Sequence, residues 1–354
     1  MSAVLRRGAA RASRRPVAVI WLLLVVCVAA LALMHGRLAS LLHERDPFAA
    51  RCVPGPAASG SGAVDAEDGC AYSMYATTSA HLCGALLTFR RLKQLGASSA
   101  AANVVLTTAY TDNDPLRDAL RREGARVIQV RELETHADDT FSKGATKLHA
   151  FNMTQYRRVV FLDGDGLVMR PLRHLCALGP EVPAAFATAY WGPADEPAKL
   201  SGALFSVAPD SGRFERLLAA VRAAGHESEM DLLQREFGPQ AALLPASHCL
   251  LTGTVRAADV GGYYGGSRGR AGEGEGRRGA GLDPREVVRG AYYVHFSDWP
   301  LRKPFQLRGV ADVVEWLEGK EGGRGDPKEA WNKAWLGLYE TYLAEMQACR
   351  DAAG

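Results

Sequence analysis

The sequence predicts an α/β protein that has a ligand site at the carboxyl ends of its strands. From Ala71 onwards, strand-like and helix-like hydrophobic patterns alternate, which is typical of a sheet whose parallel strands are covered by helices. One predicted strand runs directly into Asp163 and Asp165, and ligands of such folds bind at that end of the sheet. The 354 residues are 47% hydrophobic and 23% charged, which excludes a chain that is disordered throughout.

The first half of the chain has the more regular pattern. Its predicted elements are a strand at 72–78, a helix at 81–95, a strand at 103–108, a helix at 115–123, a strand at 127–130, a helix at 144–156 and a strand at 158–163. This order favours a sheet with parallel strands, because each strand is joined to the next through a helix or a long connection.

The second half is less regular and predicts a mixture of strands and helices. Its predicted strands are 184–189, 203–207 and 292–295, and its predicted helices are 212–224 and 230–237. Segment 261–281 is rich in Gly, Arg and Glu, which predicts a disordered surface insertion. A final helix at 327–347 repeats large apolar residues every three or four positions, which predicts a face that packs on the core. These residues are Trp331, Trp335, Leu338 and Tyr342.

The N-terminal 70 residues differ in composition from the rest. Residues 17–34 carry no charge, and as a helix they would be about 27 Å long, enough to cross a bilayer. A cleaved signal peptide is the alternative, but its apolar stretch is normally shorter. Five arginines lie in 1–16, so the positive-inside rule predicts a cytosolic tail there, a transmembrane signal anchor at 17–34 and a lumenal remainder. The Ala- and Gly-rich segment 35–70 is typical of a stem leading to one domain at 71–354.

Six cysteines lie beyond the predicted span, and an oxidising lumen would allow them to form disulfides. Cys52 and Cys70 bracket a Pro- and Gly-rich loop that a disulfide could close, whereas six free buried thiols are the alternative. The chain contains no C-x-x-C motif, which argues against a structural zinc site.

The charge balance excludes nucleic acid as the expected partner. The net charge is +3, and without the five N-terminal arginines it is −2, because 37 basic residues then face 39 acidic ones. A nearly neutral chain without a basic stripe has no electrostatic surface suited to a phosphate backbone.

The most informative motif is the hydrophobic strand that ends in Asp163-Gly164-Asp165-Gly166. Two carboxylates at a spacing of two can point the same way from an extended chain, and the glycines let a ligand approach the backbone. Hard oxygen ligands of this kind hold magnesium or manganese together with substrate phosphates. An exposed acidic turn would have the same sequence, so the motif alone leaves both interpretations open.

Two chemistries use an aspartate pair at this position. A phosphatase of the haloacid-dehalogenase type would use Asp163 as nucleophile and Asp165 as acid, but its motif usually opens the domain, and here strand–helix units precede it. The wider segment ATKLHAFNMTQYRRVVFLDGDGLVMRPLRHL resembles glycosyltransferase family 8, the glycogenin-like enzymes with the GT-A fold. The resemblance continues through LSGALFSVAP and ESEMDLLQREFG to VHFSDWPLRKPF, over roughly residues 71–306.

That resemblance implies a Rossmann-like mixed sheet flanked by helices and a retaining transfer of sugar from a UDP-sugar. It implies that Asp163, Asp165 and His295 hold the metal, for which manganese is expected. Lys147 and Lys303 match family lysines and would neutralise the charge that develops on the leaving diphosphate.

The family resemblance also implies a nucleotide site, and this sequence differs from the family pattern at several positions. Thr77, Thr78 and His81 align with the segment that holds the uridine, although the family often has tyrosine at the position of His81. Glu229-Met230 replaces the usual Asp-Gln pair, so Glu229 and the nearby Asp231 are both candidates for the catalytic, sugar-contacting carboxylate.

A second departure lies in Leu200-Ser201-Gly202, where the family usually has Asn-Ser-Gly. Leu200 could supply an apolar wall for an acetamido group. Because of this residue and Glu229, a membrane-anchored glycan-binding protein without catalysis remains an alternative.

Within the family, EMDLLQREFG and LLPASHCLLTG are similar to fungal Golgi N-acetylglucosaminyltransferases. We therefore expect a single-pass type II Golgi membrane enzyme with a lumenal catalytic domain. This domain would move a sugar from a UDP-sugar donor to a glycan acceptor on a glycoprotein or glycolipid, and N-acetylglucosamine is the first candidate for that sugar. The sequon Asn152-Met153-Thr154 could be glycosylated only in a lumenal domain.

Overall fold

The computed structural model describes residues 69–97, 101–135, 142–188, 199–238, 240–258, 282–319, 326 and 329–353. The predicted cytosolic tail, transmembrane anchor and insertion at 261–281 lie outside these residues, as does the predicted stem apart from its last two positions. In the part that is described, no helix combines the length and the apolarity that a membrane span requires.

Ten strands and nine α-helices follow one another along the described residues. The strands are β1 (Cys70–Ala76), β2 (Ala102–Thr107), β3 (Arg126–Gln129), β4 (Arg158–Leu162), β5 (Gly166–Val168), β6 (Ala184–Thr188), β7 (Leu200–Val207), β8 (Ala242–Leu243), β9 (Leu250–Leu251) and β10 (Tyr293–His295). The helices are α1 (Ser79–Gln94), α2 (Pro115–Arg122), α3 (Arg173–Cys176), α4 (Ser211–Ala223), α5 (Glu229–Phe237), α6 (Thr252–Arg256), α7 (Pro284–Gly290), α8 (Val310–Leu317) and α9 (Ala330–Ala353). A 3-10 helix, Ser142–Asn152, stands where the sequence predicts an α-helix.

The strands form two sheets. Seven of them have the order β3-β2-β1-β4-β7-β6-β8, and a small sheet has the order β5-β10-β9. Strands β1 to β4 are parallel to their neighbours in this group, whereas β7 runs antiparallel to both β4 and β6. The mixed α/β sheet implied by the family resemblance is therefore confirmed. The parallel arrangement that the alternation in the first half favours does not continue into the second half of the chain.

Two hydrophobic clusters cover the two faces of the large sheet. In β4, Val160 and Leu162 belong to one cluster and Val159 and Phe161 to the other, as the two-residue period of a strand requires. The second cluster contains a row of stacked rings, with the Phe161 and Phe205 centroids 4.8 Å apart across β4 and β7. The strand that leads to Asp163 is thus held from both sides.

The C-terminal helix α9 packs on the first cluster through the face predicted from its periodicity. All four residues of that face are buried, namely Trp331, Trp335, Leu338 and Tyr342. A disulfide between Cys83 and Cys349 joins α9 to α1. Helix α9 is therefore fixed next to α1, whose N-terminus carries the candidate nucleotide residues.

A second disulfide joins Cys70 at the start of β1 to Cys176 in α3. This pairing excludes the Cys52–Cys70 loop closure that the sequence leaves open, because Cys70 already has a partner. Because four of the six cysteines are paired in Cys70–Cys176 and Cys83–Cys349, the alternative of six free thiols is wrong as well. Among the described cysteines, Cys249 is buried and free.

His149, in the 3-10 helix Ser142–Asn152, provides a pH-sensitive contribution to stability. Its Nε2 lies 2.8 Å from the carbonyl oxygen of Arg131, and burial lowers the pKa of His149 to about 4. The folded protein therefore takes up this proton less readily than the unfolded chain, whose histidine pKa is about 6.5, and stability falls as the pH drops below that value.

We expect acidification from pH 7 to 4.5 to cost about 2 kcal/mol through this side chain. A His149→Gln variant keeps an N–H donor for Arg131 but does not titrate, so its urea-unfolding free energy should fall less than that of the wild type. Equal losses in both proteins would show that His149 does not contribute to the pH dependence.

Candidate functional site

The aspartate motif forms the loop between β4 and β5. Asp163 follows β4 directly, and its backbone N–H donates to the carbonyl of Ala203 at 3.0 Å. Close packing requires a residue without a side chain at Gly166 in this loop and at Gly84 in α1. A Cβ on Gly166 would overlap the ring of Tyr293, and a Cβ on Gly84 would lie 2.5 Å from the carbonyl oxygen of Gly164. The loop is therefore pressed between β10 and helix α1.

Three hydrogen bonds hold the loop backbone in place. The Tyr293 hydroxyl donates to the Asp163 carbonyl at 2.8 Å, and the Tyr342 hydroxyl donates to the Gly164 carbonyl at 3.1 Å. The backbone N–H of Phe296 donates to the Asp165 carbonyl at 3.0 Å. The two carboxylates thus project from a fixed backbone, as a preorganised site needs.

His295 completes a group of three candidate metal ligands. It ends β10, where it pairs with Gly166 of β5, and its Nε2 lies 3.2 Å from Asp165 Oδ1. One ligand atom from each of Asp163, Asp165 and His295 lies within 4.8 Å of the other two.

Two polar atoms of this group, Asp163 Oδ1 and His295 Nδ1, are buried without a hydrogen-bond partner among the described residues. Two carboxylates and an imidazole suit a divalent ion such as manganese or magnesium. The structure thus brings together the three residues that the family resemblance implies as metal ligands.

Lys303 lies against the second carboxylate of the pair. Its Nζ is 2.6 Å from Asp165 Oδ2 and also donates to the Phe296 carbonyl at 3.1 Å. Burial alone would raise the pKa of Asp165, but the Lys303 ammonium and His295 hold it well below its usual range. Asp165 is therefore an anion that is paired with the Lys303 ammonium.

Lys147 joins the first aspartate to Glu229. Its Nζ lies 3.0 Å from Asp163 Oδ2 and 3.1 Å from Glu229 Oε1, and it is 3.4 Å from the Gly202 carbonyl oxygen. Burial would lower the pKa of Lys147, but the two carboxylates raise it above its ordinary value. Burial in turn raises the pKa of Asp163, which the Lys147 ammonium opposes. Lys147 is thus a fixed cation in the interior of the site.

The structure separates the two candidates for the sugar-contacting carboxylate. Glu229, the first residue of α5, is only 4% exposed, and its Oε2 has no hydrogen-bond partner within the described part of the chain. Asp231 is turned to the N-terminus of the helix, where its Oδ2 accepts from the backbone N–H of Ser228 at 3.0 Å. Asp231 closes a capping box, so the structure brings Glu229 and not Asp231 to the site.

The candidate nucleotide residues form the entry to helix α1. The Thr78 hydroxyl accepts from the His81 backbone N–H and caps the helix, while Thr77 Oγ1 lies 3.1 Å from His81 Nδ1. Burial lowers the pKa of His81, which favours the neutral ring. Phe305 stands edge-on to this ring at 5.2 Å between centroids. The three sequence-predicted residues are therefore neighbours at one end of β1.

Sequence reasoning misses Tyr75, two residues before Thr77 in the same extended segment. Its ring centroid lies 5.6 Å from that of His81 and 5.8 Å from Lys147 Nζ, so it connects the nucleotide residues to the buried lysine. The two-residue period of the strand is the signal that could have identified it.

Leu200 does not have the position expected of a pocket wall. It is 1% exposed, packs in the second hydrophobic cluster, and its backbone N–H donates to Gln234 Oε1 at 2.9 Å. Gly202, in the same strand, is the residue that faces Lys147 and Glu229. An apolar wall at Leu200 is therefore not supported, because the side chain is enclosed by the core.

No protein-family model matches the chain, but comparisons with individual proteins find relatives and structures of similar fold. Glucose N-acetyltransferase 1 of Aspergillus fumigatus is 29% identical over 308 residues, which cover 79% of this chain and 76% of the relative. The protein of the same name from Gibberella zeae is 29% identical over 301 residues, or 80% of this chain and 63% of the relative.

Among solved structures, the bifunctional glycosyltransferase WbbM in its apo form matches with a TM-score of 0.50 at 11% identity. The match covers 79% of this chain and 51% of that one, and it bears on the fold alone. Together, the comparisons confirm the resemblance predicted from the sequence: the chain has a GT-A-like glycosyltransferase fold and is a relative of the fungal proteins named Glucose N-acetyltransferase 1.

Proposed function

We propose that this protein is a metal-dependent glycosyltransferase that moves a sugar from a UDP-sugar to a glycan. The observation that carries the proposal is the group of Asp163, Asp165 and His295, with Lys303 2.6 Å from one carboxylate and Lys147 3.0 Å from the other. Carboxylates beside lysines suit a ligand that contains both a divalent cation and a diphosphate.

The charges of the site support a divalent ion as part of the donor complex. Asp163, Asp165 and Glu229 bring three negative charges, and Lys147 and Lys303 bring two positive ones. A diphosphate would add two further negative charges to this net negative site. A divalent cation compensates for them, whereas the described lysines alone do not.

Each residue has a role that follows from its contacts. Asp163, Asp165 and His295 would hold the ion, which supplies a Lewis acid to the diphosphate. Lys303, which lies 2.6 Å from Asp165, would bind a phosphate oxygen as negative charge develops on the departing UDP. Lys147 holds Glu229 in place and compensates for its charge.

The remaining donor contacts come from two regions. Thr77, Thr78 and His81 at the start of α1 would bind the uridine, with the neutral imidazole of His81 against the base. Glu229 Oε2, buried and unpartnered among the described residues, would accept from a hydroxyl or an amide of the transferred sugar.

For the sugar we propose N-acetylglucosamine, supported by the sequence similarity to relatives whose names combine glucose with an N-acetyl group. Glucose, galactose and glucuronate are the other donor sugars to test.

We further propose a type II Golgi membrane protein with a lumenal site. The charge-free run 17–34 and the arginines before it support this topology, as do the two disulfides.

A calorimetric titration of purified protein with UDP, with and without manganese, tests the donor site. We expect UDP binding that manganese strengthens at least tenfold, followed by release of UDP when a UDP-sugar and a mannose-terminated glycan are supplied. Exclusive use of UDP-glucose or UDP-galactose in a donor panel would show that the assignment of N-acetylglucosamine is wrong.

Other measurements would identify the alternative functions. A phosphatase would release phosphate from a small phosphoester and form a phospho-aspartate at Asp163. A binding protein without catalysis would bind glycan without affinity for UDP or manganese. An enzyme that acetylates a sugar would consume an acetyl donor and leave UDP-sugars intact.

A further inference from the structure

Asp298 is a buried carboxylate that lies outside the candidate metal group. It belongs to the loop between β10 and the 3-10 helix Pro304–Gln306, and its side chain has no exposed surface. Its Oδ2 accepts from Trp335 Nε1 and from the Tyr339 hydroxyl, both at 2.9 Å, and its Oδ1 accepts from Arg256 Nε at 3.2 Å. The carboxylate therefore ties this loop to helices α6 and α9.

Such a network has a geometric effect more than a stabilising one. The desolvation of a buried carboxylate offsets most of the attraction that its partners supply, so the net gain in stability is small. Three directional hydrogen bonds nevertheless fix the carboxylate relative to both helices. What Asp298 does thus depends on the groups that its loop carries.

The backbone of the loop is held at neighbouring positions as well. The ring of Phe296 packs edge-on against two tyrosine rings of α9, at 4.7 Å and 5.0 Å between centroids. The Ser297 N–H donates to Thr252 Oγ1 at 2.9 Å. The Leu301 N–H donates to the Asp298 carbonyl at 2.6 Å. The first part of the loop is therefore anchored on the body of the fold.

This anchored backbone supports Lys303. Lys303 Nζ donates to the Phe296 carbonyl at 3.1 Å and lies 2.6 Å from Asp165 Oδ2. The Phe296 N–H donates to the Asp165 carbonyl at 3.0 Å, so the lysine and the aspartate meet at the same backbone unit. A free lysine side chain has many rotamers, and restricting them in advance lowers the entropic cost of binding an anion.

His295 depends less on this loop. It pairs with Gly166 of β5 and with Leu251 of β9, so two strands hold it in place. A displacement of the loop after β10 should therefore move Lys303 more than it moves the candidate metal ligands.

We propose that Asp298 is a positioning residue for the diphosphate of the donor, an inference that rests on the proposed function. Asp298 fixes the loop backbone, the loop backbone holds the Lys303 ammonium, and the ammonium binds a phosphate oxygen. The hydrogen bonds of the Asp298 carboxylate run to α6 and α9, so Asp298 acts on the diphosphate through Lys303 and not by contact.

The test is the affinity for UDP in the presence of saturating manganese, measured by calorimetry. We expect Asp298→Ala to weaken UDP binding about 10-fold. The affinity for manganese without nucleotide, measured by electron paramagnetic resonance of the free ion, should change less than twofold. If manganese binding weakens as much as UDP binding, the loop acts on the metal ligands and the proposal is wrong.

A double-mutant cycle with Lys303→Ala separates positioning from a general structural role. In the Lys303→Ala background, Asp298→Ala should weaken UDP binding less than twofold, because the group through which Asp298 acts is already absent. An equal loss in both backgrounds would show that Asp298 does not act through Lys303.

Two milder variants keep the test independent of how well Asp298→Ala folds. Asp298→Asn keeps an oxygen that can accept from Trp335 and Tyr339 but loses the charge that faces Arg256, and its UDP affinity should stay within threefold of the wild type. A loss as large as that of Asp298→Ala would assign the effect to charge instead of position. Tyr339→Phe removes one hydrogen bond from Asp298 and should weaken UDP binding about threefold, again only when Lys303 is present.

Asp210→Ala is the matched control, since it removes an aspartate that caps α4 by accepting from the Arg213 N–H. It should lower the melting temperature and leave UDP affinity unchanged. If the wild type binds no UDP with manganese, the proposed function fails and the role of Asp298 fails with it. UDP binding by the wild type with unchanged affinity in Asp298→Ala overturns only the role of Asp298.

Discussion

Replacing Asp165 by alanine should lower sugar transfer by about 10²–10³-fold, because it removes a preorganised charge at the metal and diphosphate. Asp165 contacts both His295 and Lys303, so its loss also leaves the Lys303 ammonium without the anion beside it and His295 without its neighbouring carboxylate. The measurement is the initial rate of UDP release from a UDP-sugar in the presence of manganese and acceptor. Circular dichroism and a thermal melt should show that the variant remains folded.

Asp231→Ala is the control for this experiment. It also removes an acidic side chain that sequence reasoning places among the catalytic candidates, but one that caps α5 instead of facing the site. We expect a loss of about 0.3–1.5 kcal/mol of stability and a nearly unchanged rate at a temperature well below unfolding. Normal turnover in Asp165→Ala would refute the metal assignment, and a large loss in Asp231→Ala would refute the distinction drawn between the two carboxylates.

The regular elements of the fold are predictable from the sequence because local patterns determine them. The hydrophobic period identifies β1 to β4 and the helices α1, α2, α4 and α5 to within a few residues of their observed bounds. The short strands β5, β8 and β9 have two or three residues each, too few to show a period. Their existence depends on pairing with distant segments, as β5 does with β10.

The site was predictable to the extent that its residues lie in motifs. Asp163, Asp165 and His295 come together because β5 and β10 pair, and the family resemblance implies this contact although β5 is not recognised from the sequence. The resemblance does not separate Glu229 from Asp231. Two positions along a helix rotate a side chain by about 200°, and the capping box, a local hydrogen-bond choice, determines which one faces inward.

Lys147→Met should destabilise the protein by about 3–5 kcal/mol, the cost of leaving buried carboxylates without their cation. The side chain is only 4% exposed and lies between Asp163 and Glu229, whose exposures are 14% and 5%. Urea unfolding followed by tryptophan fluorescence measures this loss. Lys143→Met is the control, since that lysine is 44% exposed, pairs with Glu132, and should contribute about 1 kcal/mol or less.

The pH dependence of Lys147→Met shows whether the loss is electrostatic. Without the ammonium, the pKa of Asp163, which burial already raises, should rise further in the folded state. A carboxyl group whose folded pKa exceeds its unfolded value binds its proton more tightly when folded, so the variant should recover stability as the pH falls from 8 to 5. Adding Glu229→Gln to Lys147→Met should also restore part of the loss, because it removes one of the two uncompensated charges. A deficit that stays constant over this pH range and in the double variant would mean that Lys147 stabilises the fold by packing alone.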